Sequence, residues 1–243
     1  MAAETMRGAL DAALRGLGVI SDVTIMSPWT PHRAAVDAAW SATPGKSIGL
    51  LDLGALADRW EVLGSTRRSE VRRGRREGTR VERFDIAAAR RFSTVYEEAM
   101  EARAADARWR RGSGDFERLA GLAGSRFRLC VCEGSGGGAA ALFLTAGARA
   151  AYHLAVRWGN LPGAASTVLW VGAEALAAEG CEELLLGGGV TDADDDPLLR
   201  FKQAFASRCE PLRVAARAFD RRAHEASAAA GHVRPLPGAA VDA

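Results

Sequence analysis

The sequence predicts an α+β fold, a mixed and mainly antiparallel sheet flanked by helices. Two stretches carry that reading. Residues 127–133, 139–146 and 150–158 read as consecutive strands joined by Gly134-Ser135-Gly136-Gly137-Gly138 and by Ala146-Gly147-Ala148, which makes them a meander. A helix over 165–179 closed by Gly180, a short apolar strand at 184–186, another helix and a last strand at 212–219 then place a crossover late in the domain. With 243 residues, 48% hydrophobic and 26% charged, the chain can bury one large core or two small ones.

Taken in order, residues 1–18 form an amphipathic helix with Leu10, Leu14 and Leu17 at helical spacing. A strand follows at 19–26, is ended by Ser27-Pro28-Trp29-Thr30-Pro31, and gives way to a helix over 33–40. Ala42-Thr43-Pro44-Gly45-Lys46-Ser47 invites a phosphate-loop reading, but Trp40 stands where the first glycine is needed, so it reads as a turn before a strand at 47–53. Residues 56–80 are the most basic part of the chain. Arg68, Arg72, Arg75 and Arg76 share one helical flank, a stripe able to track phosphates; the plainer alternative is a solvated helix face. No aromatic residue interleaves the stripe, so backbone contact is expected there rather than base stacking. A short strand at 81–84 leads to Asp85, which caps a helix reaching 104 with Phe92, Val95, Tyr96, Ala99 and Met100 facing inward. A basic turn with Trp109 and a helix over 116–122 precede the meander.

Composition narrows the function classes. Net charge is +2, so any basic surface is local. Glu4 and Asp11 break up the N-terminus as a secretion signal, and the longest mostly apolar stretch, 136–148, is too short and too glycine-rich to span a bilayer. Cys130, Cys132, Cys181 and Cys209 lack framework spacing and read as buried reduced thiols. A cytoplasmic protein with no membrane partner is expected.

The most informative stretch runs from Glu183 to Phe205. Gly187, Gly188 and Gly189 end the short strand, Asp196 is a good N-cap, and Pro197 suits the first helical position. Among 32 Lys+Arg only Lys46 and Lys202 are lysine, so a primary amine at 202 stands out against an arginine background. Asp192, Asp194 and Asp196 mimic a calcium loop, but Pro197 replaces the required Gly and Gln203 the closing Glu, so no metal site is expected.

The element order is that of the GNAT acyltransferase fold. Arg67-Arg68-Ser69-Glu70-Val71-Arg72-Arg73-Gly74, Tyr152-His153-Leu154, the Asn160-Leu161-Pro162 loop, and Leu186-Gly187-Gly188-Gly189 followed by Phe201-Lys202 resemble the Fem (FemABX) peptidyltransferases. The resemblance spans roughly residues 45–218. It implies a shortened, partial GNAT-like lobe at 1–84 ending in the basic helix, a GNAT-like transferase domain at 85–220, and a flexible tail at 221–243.

The resemblance implies transfer of an amino acid from aminoacyl-tRNA to an amine, here on a small peptide or peptide-like metabolite, free or carrier-bound. No cofactor is called for beyond the tRNA co-substrate. Such ester aminolysis needs positioning and a fixed positive charge at the developing oxyanion. By resemblance Lys202 is that charge and Phe201 helps hold the acceptor or aminoacyl end. Arg68, Arg72, Arg73, Arg75 and Arg76 are the expected tRNA contacts, and Tyr152, His153, Trp158, Asn160 and Asp192 the expected substrate contacts. His153 and Glu174 are candidate bases by residue type, but the favoured reading of both is the plainer one, a half-buried strand histidine and a surface glutamate. Two alternatives stand beside this. An acyl-CoA N-acyltransferase lacks its usual pyrophosphate loop here, although free amides opening a helix at 165 could take a phosphate. A non-catalytic RNA- or partner-binding module would need the arginines and not Lys202.

Overall fold

A computed structural model describes residues 2–30, 34, 37, 40, 42–191 and 193–230. The expected helix over 33–40 and Asp192 lie largely or wholly outside these residues. Eight strands are hydrogen-bonded in the order β1-β8-β2-β7-β6-β5-β4-β3, mostly antiparallel. They are β1 (Ser21–Met26), β2 (Thr43–Asp52), β3 (Gly78–Arg83), β4 (Phe127–Gly134), β5 (Gly137–Ala146), β6 (Arg149–Gly159), β7 (Glu183–Gly187) and β8 (Arg208–Ala218). The expected α+β class is what the chain adopts.

The chain divides into two compact units, residues 48–209 and residues 1–47 with 210–243. The expected boundary at residue 84 therefore falls inside the larger unit. In the smaller unit α1 (Ala2–Gly16) is the predicted amphipathic helix, and β1 pairs with β8 from Ser21↔Ala218 to Met26↔Arg213. Arg217, 7% exposed, is held there by Asp11 and Asp22. Two expectations change. Residues 43–47 extend β2 instead of forming a turn, with the Thr43 hydroxyl donating to the Val214 carbonyl. Arg221–Ala229 form a helix, α8, capped by the Asp220 carboxylate, at the start of the stretch expected as a flexible tail, whose remainder, 231–243, lies outside the described residues. An Asp N-cap and an alanine-rich run favour helix even in a segment whose composition looks loose.

In the larger unit the helices are α2 (Leu56–Val62), α3 (Ser65–Arg76), α4 (Ile86–Ala102), α5 (Ser113–Ala123), α6 (Ala164–Ala178) and α7 (Pro197–Gln203). The sheet buries both faces. One core joins Leu51, Val71, Cys130, Phe143, Leu169, Trp170, Leu186 and Phe205. The other joins Phe84, Phe92, Tyr96, Phe116, Leu129, Leu142 and Val156 under α4 and α5, with Asp85 capping α4 as expected. The cysteines are free thiols; three are buried, but Cys209, the second residue of β8, is exposed, contrary to expectation.

Two irregularities shape β6. Leu142 pairs with Leu154 but Phe143 with Tyr152, which leaves His153 as the extra residue of a bulge. The bulge turns the strand, so Tyr152 packs on the first core and Leu154 on the second. On its other side β6 pairs in parallel with β7 only at Arg149↔Glu183, Ala150↔Leu184 and Ala151↔Leu185. The ladder ends at Ala151 and Leu185, and beyond them β6 and β7 continue unpaired with each other, forming the two sides of a wedge.

Helix α3 lies hard against α6. A Cβ on Gly74 would stand 2.1 Å from Thr167 Oγ1, and one on Gly163 would stand 2.9 Å from the Glu70 backbone. Gly163 also has φ of 85°, a left-handed conformation that suits the turn entering α6. Gly74→Ala should cost about 1–3 kcal/mol through overpacking. Gly121→Ala on α5, with nothing within 4 Å of the added carbon, should be neutral or stabilising by up to about 1 kcal/mol. Urea unfolding of the two variants tests the close approach.

Candidate functional site

The site is built where β6 and β7 separate. Helix α7 has only seven residues, too few to be stable alone, and is fastened at both ends. At its start the Asp196 carboxylate accepts from the amides of Leu198 and Leu199, and also from the amides of Val190 and Thr191 and the Thr191 hydroxyl. These bonds, led by the Thr191 and Leu199 amides, pull the Asp196 pKa down to about 2. At its far end Arg59 of α2 donates to the carbonyls of Ala204 (2.7 Å) and Phe205 (3.1 Å), where a cation also complements the helix dipole.

So held, α7 buries Lys202. Its side chain is 8% exposed, and Nζ donates to the Gly188 carbonyl at 2.8 Å, just past the end of β7. Nζ also lies 5.9 Å from the Tyr152 ring centroid, a cation–π distance. Tyr152 is the first β6 residue beyond the parallel pairing. Burial pushes its phenol pKa up, so it stays a neutral hydrogen-bond donor. Phe201 packs edge-on to Phe205 at 5.4 Å and carries the Arg67 guanidinium 5.3 Å above its ring. Arg67 donates to Glu70 at 2.7 Å, and the Ser166 hydroxyl donates to the same carboxylate at 2.6 Å. The wedge thus gathers a buried ammonium, a neutral phenol and an aromatic ring.

The other expected residues fall in three groups. Of the arginine stripe, Arg68 donates to the carbonyls of Trp60 and Glu61, Arg75 pairs with Glu174, and Arg72 lies over Trp60. Arg73 and Arg76 are exposed and make no hydrogen bond or ion pair among the described residues. His153, as the bulge residue, is set toward Phe127 (6.0 Å between rings) and a groove with Arg111 and Arg118, and is not brought together with Lys202. Its pKa is lowered, first by burial and then by Arg111. Trp158 lines a separate groove of about 300 Å³ with Arg80 and Val95, on the α4 face. Asn160 is exposed, its amide donating to the Gly136 carbonyl in the turn before α6. Glu174 is tied to Arg75 and accepts from Trp170 Nε1 at 2.8 Å. Arg59, Trp60, Glu70 and Ser166 were not legible as site residues, because each acts on partners about 95 to 146 residues away or on another helix.

The eight-strand, mostly antiparallel sheet with its flanking helices is a GNAT-like α+β fold. The structure is similar to FemX, with a TM-score of 0.69 at 11% identity over 92% of this chain and 79% of that one. It is also similar to the C-terminal domain assigned to a lysylphosphatidylglycerol synthetase from Agrobacterium fabrum (0.61, 20%, covering 93% and 78%). A third similar structure is L-PGS from Bacillus licheniformis (0.54, 12%, covering 83% and 70%). No protein-family model matches the sequence, and no curated protein matches it. Among the described residues no helix is long and apolar enough to cross a membrane.

The Asp196 cap gives a pH signature. The carboxylate titrates near 2 in the fold against about 3.9 unfolded, so its stabilisation is complete above about pH 5 and is lost as pH falls toward 2. Asp196→Asn should therefore lower the thermal midpoint by a constant amount above about pH 5, and the deficit should shrink below about pH 4. Thermal unfolding of both proteins across that range checks it.

Proposed function

We propose that this chain is an aminoacyl-tRNA-dependent aminoacyltransferase that forms an amide bond on the amine of a small peptide or peptide-like acceptor. The observation that carries the reading is Lys202, a cation fixed at the mouth of the wedge by Gly188 and the Tyr152 ring. The acceptor amine attacks the ester carbonyl, a C–N bond forms, and negative charge develops on the carbonyl oxygen. The C–O bond to the ribose then breaks, and the proton lost by the amine ends on the departing hydroxyl. A preplaced ammonium stabilises the oxyanion most in a site with little water. FemX and L-PGS, which share this fold, are the basis of the donor assignment, together with the exposed Arg73 and Arg76 on α3.

An acyl-CoA donor is disfavoured by what covers α6. The start of a helix is where a pyrophosphate would be expected to bind. Here the Glu70 backbone stands against Gly163, and the Glu70 carboxylate bonds Ser166 in the first turn. A carboxylate at that end satisfies the helix dipole and repels a second anion. The Arg67–Glu70–Ser166 cluster therefore weighs against the acyl-CoA alternative.

A side-by-side donor assay tests the proposal. Charged tRNA should support acylation of an amine acceptor, RNase should abolish it, and acyl-CoA should give none. Rates at limiting tRNA should fall steeply with added salt as phosphate contacts are screened. Activity sustained by acyl-CoA after RNase treatment would reverse the assignment.

A further inference from the structure

The sequence shows no aromatic residue along the arginine stripe of α3, but the fold supplies one. Trp60 arrives from α2 and lies under two of the arginines, with Arg72 Cζ 5.6 Å and Arg75 Cζ 5.8 Å from its ring. Trp170 of α6 tilts against Trp60 at 5.1 Å. Glu174 takes hydrogen bonds from both Arg75 and Trp170 Nε1, so Arg75 is held by a carboxylate and lies beside the Trp60 ring. Arg72 is exposed, and Arg75 keeps 43% of its side-chain surface open. Two guanidinium groups thus sit within cation–π distance of one ring and keep surface open to solvent. A continuous row of ring contacts, Trp60 to Trp170 to Phe205 to Phe201, links them to the residue beside Lys202.

We propose that the outward faces of Arg72 and Arg75 form a stacking platform for unpaired bases, which receives the single-stranded end of an RNA and leads its ester into the wedge at Lys202. This rests on the tRNA reading above and names how that site takes its donor. Guanidinium planes and aromatic rings both stack on unstacked bases, and that contact tolerates any base because every base has a π face. A free arginine must give up rotamer freedom to stack, whereas these are already held by Trp60 and Glu174. Arg73 and Arg76, on the same helix, are left to meet the phosphates.

The test uses two uncharged RNA hairpins with the same stem, one blunt and one with a four-nucleotide single-stranded 3′ overhang, titrated by fluorescence anisotropy. The intact protein should prefer the overhang by about tenfold for each base stacked. Arg72→Lys, alone and with Arg75→Lys, keeps the charge but loses the planar face. The single variant should lower the preference about tenfold and the double variant should bring it close to one, while the retained charge leaves blunt-hairpin affinity nearly unchanged. Arg73→Gln with Arg76→Gln should weaken both hairpins equally. If Arg72→Lys, with an unchanged thermal midpoint, retains the overhang preference, or if the intact protein has none, the platform is wrong. Because both RNAs are uncharged, the outcome is independent of transfer: a platform without transfer activity would sink the enzyme reading alone, and transfer without overhang preference would sink this inference alone.

Discussion

A buried ammonium sets the terms for the larger unit. Taking a charge out of water is costly unless it is hydrogen-bonded or faces a compensating partner. Lys202 meets that demand with the Gly188 carbonyl and the face of Tyr152. Neither partner would be in place if β6 and β7 stayed paired. Their parallel ladder has to stop at Ala151 and Leu185, so the wedge and the buried cation depend on each other. The bulge at His153 helps by turning β6 just where Tyr152 must look toward the lysine.

Helix α7 could not hold such a side chain unaided. Asp196 gathers five donors at one end, and Arg59 binds two carbonyls at the other. Arg59 comes from α2, the same helix that carries Trp60, so the element that fixes the lysine also props up the arginine stripe. The close approach of α3 to α6 completes the arrangement. It places Glu70 over the first turn of α6 and Arg67 over Phe201, which removes one anion site and builds another surface beside it.

Much of the fold was legible from local pattern. The meander, the Asp85 and Asp196 caps and the strand ending at the glycine triplet follow from periodicity and capping chemistry, which act over a few residues. Two local readings failed. Pro44-Gly45 looked like a turn, yet those residues lie in β2, where long-range pairing outweighs turn propensity. The segment after Asp220 looked loose, yet its first nine residues are helical. Of the residues singled out, Lys202 lies 5.9 Å from the Tyr152 ring, and Phe201 precedes Lys202 on a helix whose cap was readable. His153, one residue from Tyr152, was grouped with it, and only the bulge register separates them. The division of the arginines into bonded and exposed ones could not be read from charge spacing. It depends on Trp60, Glu61 and Glu174, which reach the stripe through the tertiary fold.

The central claim is that the ammonium of Lys202 acts on the reacting ester. Single-turnover transfer from pre-bound aminoacyl-tRNA, with Lys202→Met and Lys202→Arg compared with the intact protein, tests it most directly. The account predicts a chemical step slowed about 10²- to 10³-fold in Lys202→Met, tRNA affinity nearly unchanged, and poor rescue by the planar arginine. A Lys202→Met protein that folds, binds charged tRNA and transfers at the normal rate would contradict it.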